Sequence, residues 1–258
     1  MDLELTGKVV LITGGSDGLG LALAQRLVAE GAAVAICGRD EGRLMTAEGV
    51  LVSQGGDVLA LRADVEHAGD ITRFVEGAVG RWGKIDGIVH NAGRSAAGPL
   101  ESNDDAVWEA DLQLKLMGAV RLTRTALPYL RQSKGAALFT LAMAAKAPGP
   151  ASGPSSVSRA AGMALMKSLS KELGPDGIRV NAILIGLIES GQWERSAAAS
   201  GLELPAFYAQ MADNSSIPLG RVGRAEEFGD LACFLLSARA AYLTGTAINL
   251  DGGLSPAV

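Results

Sequence analysis

Val9-Val10-Leu11-Ile12-Thr13-Gly14-Gly15-Ser16-Asp17-Gly18-Leu19-Gly20 runs from four consecutive apolar residues into a glycine-rich turn, and an amphipathic stretch, Leu19 to Glu30, follows without delay. A buried strand, a tight turn and a helix are implied in that order. Glycine lets the backbone turn sharply and approach a ligand closely, while a helix N-terminus offers unsatisfied N–H groups and a favourable dipole to an anion. A pyrophosphate suits such a turn.

The same alternation continues along the chain. Apolar runs at Ala33 to Cys37, Val58 to Leu61, Ile85 to His90, Ala136 to Leu141, Arg179 to Leu184 and Ala247 to Leu250 bring the strand count to seven. Between them lie helix-length stretches at Glu41 to Ser53, Ala68 to Trp82, Ala106 to Leu130, Ser155 to Leu173 and Ala225 to Leu236. Alternating strands and helices predict an α/β fold: one Rossmann-type domain over 1–258 with a doubly wound, parallel, seven-stranded sheet covered on both faces. The rhythm breaks only between Glu189 and Pro218, where a short apolar segment around Leu204 to Met211 is flanked by polar residues. This segment, 189–218, reads as a substrate lid inserted late in the chain, and alternatively as a surface excursion that packs on a neighbouring subunit.

Composition narrows the ligands. A net charge of −5 leaves no basic surface for a polyanion, so nucleic acid is not an expected partner and a small molecule is. No apolar stretch reaches the length of a membrane span, no signal segment opens the chain, and the expected compartment is the cytosol. Cys37 and Cys233 both lie in apolar runs, as small buried hydrophobes rather than disulfide partners. No metal site is assigned.

The T-G-x-x-x-G-x-G spacing of Thr13 to Gly20 is joined by Asp64-Val65 after the third strand, Asn91-Ala92-Gly93 after the fourth, and Asp251-Gly252-Gly253 near the end. Together these resemble the short-chain dehydrogenase/reductase superfamily over nearly the whole chain. The resemblance implies a nicotinamide dinucleotide cofactor and homo-oligomers, tetramers or dimers. It further implies that Gly14, Ser16, Asp17, Gly18, Leu19 and Gly20 wrap the phosphates. Asp64 would bind the adenine amino group with Val65 beside it, and Asn91, Ala92 and Gly93 would back the adenosine ribose. Ile188 and Ser190 match the segment that grips the nicotinamide carboxamide, although Ile185 stands where the family usually has proline.

At the end of the second strand an acidic residue would select NAD and a basic one NADP. Arg39 stands there and favours NADP(H) over NAD(H). Asp17 occupies a position where NADP-preferring relatives often carry a second basic residue, and its charge opposes the added phosphate.

The catalytic positions depart from the family. Its members use an asparagine, a serine, a tyrosine and a lysine four residues after the tyrosine. By flanking pattern these fall on Lys115, Ala142, Ser155 and Arg159. No other tyrosine has a lysine four residues after it. Ser155 is a far weaker acid than a phenol of pKa about 10, and Arg159 can bind ribose hydroxyls but cannot readily release a proton. Lys115 and Arg159 put positive charge near the reaction end, suited to an oxyanion or an anionic substrate, unless Asp111 neutralises Lys115. Tyr208 in the lid is a further candidate acid, whereas His90 and His67 read as a packed strand residue and a surface residue. Three readings stand: an NADP(H)-dependent oxidoreductase with an altered proton route, a nucleotide-binding pseudoenzyme that senses nucleotide or regulates a partner, and a non-redox enzyme using the same crevice.

Overall fold

The computed structural model describes residues 1–258. Its strands are β1 (Val9–Thr13), β2 (Ala33–Gly38), β3 (Val58–Arg62), β4 (Gly87–His90), β5 (Ala136–Ala142), β6 (Arg179–Ile185) and β7 (Ala247–Leu250). They form one sheet in the order β3-β2-β1-β4-β5-β6-β7, and every neighbouring pair is parallel. The helices are α1 (Gly18–Ala29), α2 (Glu41–Ser53), α3 (Ala68–Trp82), α4 (Asp105–Leu112), α5 (Gly118–Ser133), α6 (Ser155–Glu172), α7 (Gly191–Ser200), α8 (Leu204–Asn214) and α9 (Ala225–Leu236).

Successive strand residues face opposite sides of a sheet, so a strand buried on both sides is apolar throughout. In β1, Val9 and Leu11 enter the core beneath α3, α5 and α6, whereas Val10 and Ile12 enter the core beneath α1, α2 and α9. The two cysteines divide in the same way, Cys37 in the first layer and Cys233 in the second, with the sheet between them. Both thiols are free, and burial raises each pKa to about 12, which leaves them as inert apolar filler.

Strand order reverses between β1 and β4, and in open α/β sheets the crevice beyond the carboxyl ends at such a point receives ligands. The glycine turn after β1 and the loop that begins at Asn91 after β4 both open there. Two details depart from the expected elements. The stretch from Ala106 to Leu130 is not one continuous helix: a π turn over Gln113–Met117 separates α4 from α5. One such turn is too short to disturb a helical hydrophobic period. The interval from Glu189 to Pro218 holds α7 and α8, and a small apolar cluster of its own, Ala212, Ile217 and Val222 with Tyr208 and Met211 against it, separates it from both main layers.

Candidate active site

A cleft of about 760 Å³ lies along the carboxyl edge of the sheet. Gly14, Ser16, Asp17, Gly18 and Leu19 line one end, Arg39, Asp64 and Val65 the side, Asn91 to Gly93 the floor, and Ser155 and Arg159 the far end. Ile188 and Ser190 border it too. Gly20 is the one residue of the expected phosphate turn that does not reach the cleft: it is buried, and a Cβ there would overlap the Gly14 carbonyl oxygen. Its smallness lets the first turn of α1 close under the loop, an indirect role. Gly14, at φ +66°, holds a left-handed conformation with Ala92 directly behind it, so its missing side chain is required twice over.

Asn91 fastens this end. Its Nδ2 donates to the carbonyls of Thr13 and Gly14, at 3.0 Å each, while the Thr13 hydroxyl accepts the N–H groups of Asn91 and Ala92, both at 3.1 Å. Asp64 accepts the N–H of Glu66 through Oδ1 and leaves Oδ2 near Arg39, at 3.9 Å. Asp17 caps α1 by accepting the Gly18 N–H at 2.7 Å. Its carboxylate also lies 3.7 Å from Arg43 on α2 and 3.5 Å from Arg195 on α7. The acid that opposed an added phosphate is therefore flanked by two guanidinium groups. The cradle fits a dinucleotide: glycine backbone without side chains, the N-terminus of a long helix, and arginines at the β2 edge.

The far end is built on α6 and the π turn. Ser155 is the first residue of α6, and its Oγ accepts the Ala96 N–H at 2.8 Å and a Lys115 Nζ–H at 2.9 Å. Lys115 is clamped in turn by Asp111, one turn earlier, whose second oxygen accepts the Ser158 hydroxyl at 2.6 Å. The Lys115 and Asp111 side chains are only 5% and 1% exposed, and Lys115 does not line the cleft. Burial pushes the Lys115 pKa down to about 8; Asp111 opposes that shift, and nearby Arg159 and Arg94 reinforce it. Arg159 donates to the Thr140 carbonyl at 2.9 Å and has no carboxylate within ion-pair distance; desolvation lowers its pKa as well.

Several expectations change at this end. Asp111 does neutralise Lys115, and Lys115 reaches the cleft through Ser155 rather than directly. Ala142 lines the cleft with no polar group to offer. Tyr208 does not line it; its hydroxyl is buried without a hydrogen-bond partner in the α8 cluster. His90 is buried, bonded to the Thr123 hydroxyl at 3.0 Å, and held neutral by desolvation with a pKa near 3. Arg94, Ser158 and Thr140 escaped the sequence reading, and of these only Arg94, directly after Asn91-Ala92-Gly93, carried a signal. Thr140 faces a second chamber of about 20 Å³, room for one water, between Lys115, Arg159 and His90, and its hydroxyl has no partner there.

Comparison with known proteins follows the same outline. Residues 14–255 match the family model described as Enoyl-(Acyl carrier protein) reductase. The chain belongs to the short-chain dehydrogenase/reductase superfamily. Among SDR proteins it is 33% identical to the monensin polyketide synthase putative ketoacyl reductase of Streptomyces virginiae, covering 97% of this chain and 98% of that one. The NADPH-bound short chain oxidoreductase of Pseudomonas aeruginosa PAO1, which contains an atypical catalytic center, superposes with TM-score 0.92 at 37% identity, over 97% of this chain and 98% of that one. L-Sorbose reductase from Gluconobacter frateurii, complexed with NADPH and L-sorbose, superposes with TM-score 0.94 at 32% identity over the full length of both.

Proposed function

We propose that this SDR-family oxidoreductase uses NADP(H) to interconvert a carbonyl and a hydroxyl on a small anionic molecule, and that residues 189–218 act as its substrate lid. The observation that carries the reading is the continuity of the cleft, which joins the glycine turn and Arg39 to Ser155 and Arg159 in one groove. A cofactor laid along it would bring its nicotinamide to the Ser155 end. Bound NADPH would supply a hydride there.

Arg39 and Arg43 border the adenosine end among Asp17, Asp40 and Asp64, and with Asp17 already flanked by Arg43 and Arg195, their guanidinium groups would be the donors to a 2′-phosphate. That favours NADP(H) over NAD(H). At the reaction end, Asp111 satisfies Lys115, but neither Arg159 nor Arg94 has a carboxylate partner. Two unpaired guanidinium groups in one cleft favour a substrate bearing a carboxylate or phosphate beside its carbonyl. The lid reading draws on Gly191, Gln192, Trp193 and Arg195 of α7, which line the cleft while α8 and the later part of α7 do not.

Calorimetric titration with NADPH, NADP⁺, NADH and NAD⁺ tests the cofactor, with the phosphorylated pair expected to bind at least tenfold tighter. NADPH oxidation is then followed with 2-oxo acids, 3-oxo acids and their neutral esters. Faster turnover of the acids supports the anionic substrate, and preference for the esters removes it. Tight NADPH binding with no turnover of any carbonyl would establish the pseudoenzyme reading instead.

A further inference from the structure

We infer that Ser155 and Lys115 form a proton relay that replaces the missing phenol, with the Ser155 hydroxyl as the group that protonates the substrate oxygen. The inference rests on the oxidoreductase reading and specifies its acid. A serine hydroxyl has one proton and two lone pairs. Both lone pairs of Ser155 are taken, one by the Lys115 ammonium and one by the Ala96 N–H. Its own proton has no acceptor in the protein, and Ser155 lines the cleft. The hydroxyl is thus oriented as a donor toward whatever oxygen the cleft holds.

Alone, an aliphatic hydroxyl would be a poor acid. Here the proton it gives up is replaced in the same motion by one from Lys115, so no full alkoxide forms on Ser155. The position of Ser155 at the N-terminus of α6 also favours negative charge developing on its oxygen. In reduction, the carbonyl carbon accepts hydride and its π pair moves to oxygen. That oxygen takes the Ser155 proton, Ser155 takes one Nζ proton, and Lys115 is left as a neutral amine. Water later returns its proton. The cofactor is oxidised, the carbonyl is reduced, and one proton is consumed in all. Oxidation of the alcohol reverses each transfer.

Lys115 is suited to this by environment. An exposed lysine would hold its proton too tightly near neutrality, whereas burial brings this one to about 8, close to where general acids work best. The groups facing it are Asp111 on its own helical segment, Ser155, Ser158 and Arg159 from α6, Arg94 from the loop after β4, and His90 and Thr140 across the small chamber. Asp111 is a positioning residue: it keeps Nζ on Ser155 and holds the ammonium form available.

The test uses full-length protein saturated with NADP⁺ or NADPH and the oxo acids above as probes. NMR titration of the lysine side chains, with Lys115→Met to assign the signal, is expected to show Lys115 titrating near pH 8 and moving lower in Ser155→Ala. Reduction should decline above the same pH, and Asp111→Asn should shift that decline to lower pH. Ser155→Ala and Lys115→Met should each lower kcat by about 10²–10⁴-fold with NADPH affinity unchanged. Lys115→Arg decides between relay and simple charge, because arginine keeps the charge but cannot pass on a proton, so kcat should stay low. Recovery in Lys115→Arg, an undiminished Ser155→Ala, or a lysine titrating above pH 10 would overturn the relay. Absence of turnover by the unaltered protein with NADPH bound would instead overturn the oxidoreductase reading beneath it.

Discussion

Asp111 shows how much of this site depends on single side chains. Its carboxylate is buried with two partners, and removing it leaves the Lys115 ammonium enclosed without a counter-charge. Breaking a buried pair from one side costs about 3–5 kcal/mol, whereas removing both charges costs far less. Asp111→Ala is therefore expected to lower stability by that order in urea unfolding, and Asp111→Ala with Lys115→Met to regain most of it. Gly191 is a second sensitive position, because a Cβ there would stand 2.5 Å from the Asp17 carboxylate. Gly191→Ala should push α7 off the phosphate turn and weaken NADPH binding, read by calorimetry, with little change in melting temperature. The positions of Lys115, Ser155 and Arg159 came from the resemblance to the family, by matching its flanking pattern onto this sequence. Their contacts were not legible, since Ser155 and Lys115 lie forty residues apart and meet only once α6 packs on the π turn.

Helices and strands were legible because their hydrophobic periods are long enough to repeat. α2, α3 and α9 begin and end where the pattern places them, since apolar side chains at helical spacing must face the sheet. The π turn was not legible, as one widened turn leaves no periodic trace, yet it carries Lys115. This bears on any attempt to restore the family's usual acid. Lys115 Nζ sits 2.9 Å from Ser155 Oγ, in space that a phenol would need. Ser155→Tyr with Arg159→Lys and Ala142→Ser should therefore gain little ketone reductase activity on neutral ketones. Adding Lys115→Asn, which clears the ammonium, should raise it by at least tenfold over the triple variant. Equal rates from the two variants would mean that the ammonium does not obstruct the phenol.

At the level of the whole molecule, buried titratable groups set a pH window for stability. His90 is held near 3 against an ordinary 6.5, so the unfolded chain gains a proton that the folded one refuses, and stability falls as pH drops through that interval. Glu227, drawn down to about 2 from 4.5 by its hydrogen bond with Arg221, adds to the decline below pH 4.5, to a degree limited by its exposure. On the alkaline side Lys115 acts the other way: between about 8 and 10.5 the unfolded chain binds more protons, and stability rises. Cys37 and Cys233, raised to about 12 from 9.0, outweigh it above pH 9. Thermal melts from pH 3 to 11 should thus peak near pH 8 to 9, and His90→Asn should flatten the slope between pH 6.5 and 4.5. The parallel, doubly wound sheet of seven strands was legible because alternating strands and helices admit few topologies, whereas the order of its strands came only from the structure. The placement of α7 against Asp17 was not legible either, since it depends on ion pairs between elements distant in sequence. The two thiols offer one thing more. With one thiol sealed in each helical layer and none elsewhere, alkylation under native conditions, followed site by site, would time the breathing of the two layers separately, a pair of internal clocks already present in the unaltered chain.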